Sequence, residues 1–337
     1  MEIALLILGG LVLLAAGGEL LVRGAVQLAE RMGVSPLLIG LTLVGFGTST
    51  PELVTSVQAA MIGSPGIAVG NVVGSNIANI LLILGLAALI SPVAVGSNAL
   101  RRDGALVVGV ALLLTVLAFV APINRVVGLL FLAGLVGYMA YAWRQERAAA
   151  AAGAGADHTA AFEKAEAYEA THPGVHGGGA AARGSGAAGL AVSAAFALGG
   201  LVLVILGGRF LVDGSIQLAR SLGISETVIG LTIVAVGTSM PEFVTSVIAA
   251  VRRQSDVALG NILGSNIYNV LGILGVTGLI SPTVVPPEIA RFDNFVMLAV
   301  SLALVVFAWT GMRIGRREGG ALLAGYVLYV WWIWPTA

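Results

Sequence analysis

Apolar stretches recur along the whole chain, separated by short breaks that carry most of the basic residues. Ten can be delimited, at roughly 3–22, 36–60, 69–90, 104–121, 126–143, 190–212, 226–250, 257–280, 293–310 and 321–336. A helix needs about 17–25 apolar residues to cross the hydrocarbon core of a bilayer, and nearly all of these stretches meet that length. Their apolarity runs all the way round instead of alternating, which predicts helices and not the strands of a barrel. The first stretch, Ile3 to Val22, has no basic lead-in and no convincing small-residue cleavage site, so it is expected to be a retained helix and not a signal peptide. The last stretch is short.

The pattern fails once, across residues 144–189. Here an Ala/Gly-rich run surrounds a charged patch (Glu163, Lys164, Glu166, Glu169) and three histidines. Such a composition cannot bury a core of its own, so a mobile linker with at most one short surface helix is expected. His158, His172 and His176 could in principle hold a metal, but their spacing and flanking residues fit no known site type. They read as solvated linker residues.

Composition narrows the class further. Of 337 residues 58% are hydrophobic and 10% charged, against about 25% charged in soluble domains, and the mean hydropathy is +0.99. Seventeen basic and seventeen acidic residues cancel, which argues against nucleic acid as a partner because that needs a basic surface. No cysteine is present, so disulfides, thiolate metal sites and thiol catalysis are excluded. With the N-terminus outside, thirteen of the seventeen basic residues fall in inside loops and four (Arg125, Arg209, Arg220, Arg291) in outside loops. The positive-inside rule then puts both termini outside and the 144–189 linker in the cytoplasm.

A displacement of 190 residues superposes 17–92 on 207–282 without a gap, and 42 of the 76 positions are identical. The two copies start five helices apart, and an odd number of crossings inserts the second copy upside down. Inverted repeats of this kind mark secondary transporters, with the site near the midplane where the halves meet. The expected fold is therefore all-α and integral to the membrane: ten transmembrane helices as two inverted-topology five-helix repeats, 1–143 and 190–337, joined by the linker.

The duplicated residues have a definite chemistry. Pro51 lacks a backbone N–H and disfavours the hydrogen bond to the carbonyl of Gly47, while Gly45 and Gly47 weaken the helix at the same point. Carbonyls freed there need a partner that lipid cannot supply. A cation is the natural one, at the negative end of a broken half-helix. Ala235, Gly237, Thr238, Ser239, Pro241 and Glu242 repeat the construction. Glu52 and Glu242 fall near the middle of their spans, where an ionisable group costs about 2.5–3.5 kcal/mol to insert. Brought together they repel unless one is protonated or a cation lies between them. Carboxylate, hydroxyl and carbonyl oxygens suit Ca²⁺ or Na⁺ and not soft metals. One Ca²⁺ or two Na⁺ would neutralise the pair, which makes competition at a shared site natural.

Each of these residues also has a plainer reading. The acids could be protonated packing residues. Thr48, Ser49, Thr238 and Ser239 could bond back to their own helix, as could Thr55, Ser56, Thr245 and Ser246. Ser75 and Asn79 share a helix face, as do Ser265 and Asn269, and these pairs could complete the oxygen cage. Asn71, Asn76, Asn261 and Asn266 read as bonds across helices, and Gly70, Gly74, Gly260 and Gly264 as close helix packing.

The stretches GTSTPELVTS (47–56), GTSMPEFVTS (237–246), GNVVGSNIAN (70–79) and GNILGSNIYN (260–269) resemble the signature repeats of the cation/Ca²⁺ exchanger superfamily, in particular its prokaryotic Na⁺/Ca²⁺ exchangers. The resemblance implies a central cluster of cation sites. In it Glu52 and Glu242 are the Ca²⁺ carboxylates and Thr48 and Thr238 add oxygens. Ser49, Ser239, Ser75, Ser265 and the carbonyls of Gly45 and Ala235 contribute to Na⁺ sites, with Asn79 and Asn269 lining the centre. Some relatives, including K⁺-dependent exchangers, carry Asp where Asn269 stands here, which weakens the case for K⁺. Proton-coupled relatives carry a His beside the acid, and no span here contains one. The linker is too short for the regulatory Ca²⁺ domains of animal exchangers. The implied function is electrogenic exchange of 3 Na⁺ for 1 Ca²⁺ by alternating access, not an enzymatic reaction. The expected setting is a cell membrane, with Ca²⁺ and Na⁺ as transported partners and no cofactor. The sequence points to no protein partner. An H⁺- or K⁺-coupled antiporter, a channel and a non-transporting sensor or scaffold are the rival readings.

Overall fold

The computed structural model of the chain describes residues 2–31, 45–95, 100–152, 159, 162–164, 166, 187–253 and 255–334. The three linker histidines and residues 36–44 of the second expected span lie outside the described residues. The first half runs through α1 (Glu2–Arg31), α2 (Gly45–Thr48), α3 (Thr50–Met61) and α4 (Pro65–Ile90), then α5 (Arg101–Val120) and α6 (Arg125–Ala152). The second half runs through α7 (Ala187–Leu222), α8 (Glu226–Thr238), α9 (Met240–Val251), α10 (Val257–Ile280), α11 (Ile289–Gly311) and α12 (Arg316–Ile333). Among the described residues seven helices are long and apolar enough to cross a membrane: α1, α4, α5, α6, α7, α10 and α11. The pair α8 and α9, bent by 51° at its junction, is apolar and long enough to be an eighth if the two cross as one broken span. α12 opens on Arg316, Arg317 and Glu318 and is apolar beyond them.

Helix ends follow local chemistry. α4 and α10 stop at Ser91 and Ser281, each followed by a proline that cannot continue the helix. α4 begins with Pro65 in its first turn, where the missing N–H is no loss. Arg316 donates to the last carbonyls of α4, Leu89 (3.1 Å) and Ile90 (3.4 Å), groups left without partners inside the helix. The sequence ended the fifth apolar stretch at 143 and began the sixth at 190. The helices run further, to Ala152 and from Ala187, because alanine carries a helix on without needing a core.

The helices sort into an inner and an outer set. In α4 and α10, 78% and 89% of the spanning stretch is buried, against 22% to 39% in α1, α5, α6, α7 and α11. The outer helices turn Leu5, Leu8, Val12, Val120, Leu198, Val327 and Trp331 outward. An apolar coat this extensive belongs against lipid.

α1 and α7 lie antiparallel, with glycine against backbone along their length. A Cβ built on Gly10 would sit 2.7 Å from the Leu211 nitrogen, and one on Gly17 2.7 Å from the Val204 nitrogen. From the other side, one on Gly207 would sit 2.7 Å from the Leu14 nitrogen. Gly10, Gly17 and Gly24 recur every seven residues, and Gly200, Gly207 and Gly214 repeat them 190 positions on. Small residues allow this close approach of membrane helices. The halves also meet at two short strand contacts. β1 (Val93–Ala94) pairs antiparallel with β2 (Arg313–Ile314), and Ile123 bridges Thr283.

Neighbouring glycines separate packing from helix propensity. Gly200→Ala should collide with the α1 backbone and lower the thermal unfolding midpoint in detergent, in line with the ~1–3 kcal/mol that overpacking costs. Gly199→Ala, with nothing within 4 Å of the added carbon, should leave the midpoint unchanged or raise it.

Candidate cation site

The site is built on two helix breaks. Ser49 (φ −88, ψ 10) separates α2 from α3, and Ser239 (φ −81, ψ 11) separates α8 from α9. Both lie in the sparsely populated bridge region between helix and strand. Pro51 and Pro241 occupy the first turn beyond each break, and Glu52 and Glu242 follow directly. Each acid therefore sits at the positive end of a half-helix, which favours its charge.

The two breaks hold each other's acids. Ser239 Oγ donates to Glu52 Oε1 at 2.9 Å, and Ser49 Oγ donates to Glu242 Oε1 at 3.5 Å. Ser265 Oγ reaches Glu242 Oε1 at 3.4 Å. Both carboxylates are 1% exposed, and Thr48, Thr238, Ser49, Ser239, Ser75, Ser265, Asn79 and Asn269 are buried with them. The Ala235 carbonyl accepts from Ser75 Oγ (3.3 Å) and Thr238 Oγ1 (3.3 Å). Gly45 is the first residue of α2, four before Ser49, as Ala235 is four before Ser239. Among the described residues, Glu52 Oε2, Glu242 Oε2, Asn79 Oδ1 and Asn269 Oδ1 are buried without a hydrogen-bond partner. Carboxylate and amide oxygens are the donor types that hard cations take.

All six asparagines bond across helices, Asn79 and Asn269 included. Asn71 Nδ2 donates to the Glu52 carbonyl (3.1 Å) and to Ser56 Oγ (2.9 Å). Asn261 Nδ2 repeats this toward the Glu242 carbonyl (3.2 Å) and Ser246 Oγ (2.8 Å). Ser56 and Ser246 are thus scaffold residues. The hydroxyls of Thr55 and Thr245 are buried and unpartnered among the described residues, so their helix-bonded reading does not hold. At the centre Asn79 Nδ2 donates to Asn266 Oδ1 (2.9 Å) and Asn269 Nδ2 to Asn76 Oδ1 (3.0 Å). The amides of α4 and α10 are thereby tied across the halves, leaving the oxygens of Asn79 and Asn269 free. A π-turn opens at Asn79 (Asn79–Leu84), and its counterpart opens one residue before Asn269 (Tyr268–Ile273).

The glycines are packing residues in the first half. A Cβ on Gly70 would lie 3.1 Å from the Leu231 nitrogen, and one on Gly66 2.8 Å from the Thr227 nitrogen. In the second half, a Cβ on Gly260 would collide with Glu163 of the linker.

The linker departs from expectation here. Instead of lying on the surface, Thr159, Glu163 and Lys164 are buried. Lys164 Nζ lies 3.2 Å from Glu242 Oε1 and 2.5 Å from Ser265 Oγ, with the Tyr268 ring centre 6.0 Å away. The sequence did carry one overlooked signal: Lys164 is the only lysine in the chain, the other sixteen basic residues all being arginine.

A cavity of about 210 Å³ opens between α1 and the two breaks, lined by Gly18, Glu19, Gly47, Thr48, Pro51 and Pro241 among others.

Comparison with known proteins agrees with this geometry. The profile of the family described as sodium/calcium exchanger protein matches residues 2–144 and again 192–334. The sodium/calcium exchanger MaX1 of Methanosarcina acetivorans is 38% identical over 345 residues, covering 97% of each chain. The inner membrane protein YrbG of Escherichia coli is 34% identical over 336 residues, covering 98% of this chain and 97% of its own. Among solved structures, the sodium-calcium exchanger NCX_Mj superposes with a TM-score of 0.60 at 29% identity, with 99% of each chain covered. A multi-pass membrane protein with buried paired acids and these relatives is a cation/Ca²⁺ antiporter, a transporter and not an enzyme. The chain belongs to the sodium/calcium exchanger protein family.

Asn71→Ala and Asn261→Ala should each lower the unfolding midpoint by several degrees. Each strips two buried acceptors of their donor, a loss of about 1–3 kcal/mol per group. A midpoint unmoved in both variants would contradict the scaffold role.

Proposed function

We propose that the chain is a Na⁺/Ca²⁺ antiporter of ten transmembrane helices, its five-helix halves 1–143 and 190–337 inserted with opposite topology. Two profile matches displaced by 190 residues support that division, as does the matching order of elements in the two halves. The linker 144–189 lies in the cytoplasm and both termini lie outside, on the distribution of arginines. The setting is the plasma membrane.

The observation that carries the reading is the reciprocal hold of the acids, each carboxylate bonded by a serine of the other half. It brings two negative charges into one buried site that opposing motions of the two halves could expose in turn. Glu52 and Glu242 bind Ca²⁺ with Thr48 and Thr238. Ser49, Ser239, Ser75, Ser265 and the carbonyls of Gly45 and Ala235 serve Na⁺, and Asn79 and Asn269 line the centre. A charge of minus two is matched by one Ca²⁺ or two Na⁺, so filling by one ion excludes the other. The cavity beside Thr48 and Pro241 borders both helix breaks. Neutral Asn79 and Asn269, and spans without histidine, favour Na⁺ over K⁺ and H⁺ as the driving ion. MaX1 and NCX_Mj, both named as sodium/calcium exchangers, agree with that choice.

In proteoliposomes, an outward Na⁺ gradient should drive uptake of radiolabelled Ca²⁺. Glu52→Ala and Glu242→Ala should each abolish it, and full uptake in either would sink the assignment. A pH or K⁺ gradient imposed without Na⁺ should drive none, and uptake on either would name that ion as the driver.

A further inference from the structure

Lys164 brings a positive charge to two of the oxygens assigned above to the cations, Glu242 Oε1 and Ser265 Oγ. Its side chain is fully buried and forms an ion pair with an acid that is itself 1% exposed. Lysine is a compact ammonium on a flexible stem of four carbons, so it can reach from a segment outside the site. The backbone that carries it is also seated. Residues 162–164 form a helical turn anchored by Glu163 N donating to the Thr159 carbonyl at 3.0 Å. Glu163 lies against Gly260 of α10.

The two halves differ at this point. Gly70, which Gly260 repeats, faces the backbone of Gly230 and Leu231 in α8. Gly260 faces the linker. The glycine thus opens a slot on α10 into which residues 163 and 164 fit, and the slot leads to Glu242.

We propose that the linker is a tethered occupant of the cation site, with the Lys164 ammonium competing against Ca²⁺ for Glu242 and Ser265. The proposal rests on the assignment of these residues to the cation site. Charge gives the competition its sign. The two carboxylates carry minus two, and the ammonium leaves minus one, which a single Na⁺ balances and Ca²⁺ exceeds. Ca²⁺ binding therefore requires Lys164 to leave. Because the competitor is covalently attached, its effective concentration is set by the tether and not by the medium. The apparent KM for Ca²⁺ is then raised by the inverse of the fraction of molecules whose linker is out of the site. Whatever draws the linker away, a binding partner or a modification of its charged patch, would raise transport at low Ca²⁺.

Two substitutions release the occupant by different means. Lys164→Gln removes the charge and keeps much of the length. Gly260→Ala puts a methyl group where Glu163 rests and alters no cation oxygen. In proteoliposomes with the full-length protein, both should lower the KM for Ca²⁺ by about threefold or more, the factor expected if the linker occupies the site two-thirds of the time. Transport with an unchanged KM in both would overturn the proposal while leaving the antiporter assignment intact.

A second measurement needs no transport. A protease specific for lysine has one target in this chain, since Lys164 is its only lysine. Cleavage of the detergent-solubilised protein should be slow without Ca²⁺ and should accelerate as Ca²⁺ is added. Gly260→Ala should be cut quickly under both conditions. A cleavage rate indifferent to both Ca²⁺ and Gly260→Ala would overturn the proposal, even if exchange proved to be driven by another ion.

Discussion

Two carboxylates buried together at the helix breaks are the constraint around which the structure is arranged. An isolated acid at bilayer depth costs about 2.5–3.5 kcal/mol on insertion scales, and a second nearby adds repulsion. The protein compensates locally. Each acid begins a half-helix, receives a serine hydroxyl from the opposite half and has an asparagine fixing its backbone carbonyl. These contacts require helices interrupted at Ser49 and Ser239, and the interruptions need protein on every side because lipid satisfies no backbone group. This explains why α4 and α10, which supply the asparagines, are the most buried helices. The outer helices shield that polar centre from the bilayer.

Much of this was legible in the sequence, for a physical reason. Apolar length reports a spanning helix directly, so the helices emerge with shifts at their ends. The site was legible because it is written twice: a Glu, Ser or Asn at a fixed displacement of 190 residues is hard to ascribe to chance. The linker was not legible in the same way. Its composition says that it cannot build a core, but not that it can borrow one, and a charge count that pools lysine with arginine hid the single Lys164. The π-turns had no sequence signal either. They arise where a helix takes up an extra residue to keep its packing on both sides.

Two of the contacts between the halves differ in kind. α4 and α10 are joined by paired amides with definite donors and acceptors. α1 and α7 meet through glycines that place backbone against backbone, with Ile7, Leu14, Val204 and Leu211 packed in one apolar cluster beside them. The first contact resists displacement, because any shift leaves buried polar groups unpaired. The second is held by close van der Waals contact, which is lost steeply as the backbones separate.

The π-turns carry a further consequence, one of register. An inserted residue rotates everything after it by about 100° around the helix axis, so its position is not easily changed later. Turns of this kind begin at Asn79 and, one residue before Asn269, in the corresponding helix of the other copy. They also precede Ala105 and Asn294, the latter pair starting at Leu100 and Ile289. The irregularity thus falls at matching places in both copies, to within one residue. Each copy holds one acid, and each acid accepts a hydrogen bond from a serine of the other copy. A change of rotation after the turn in one helix would therefore carry its amides away from their partners in the other.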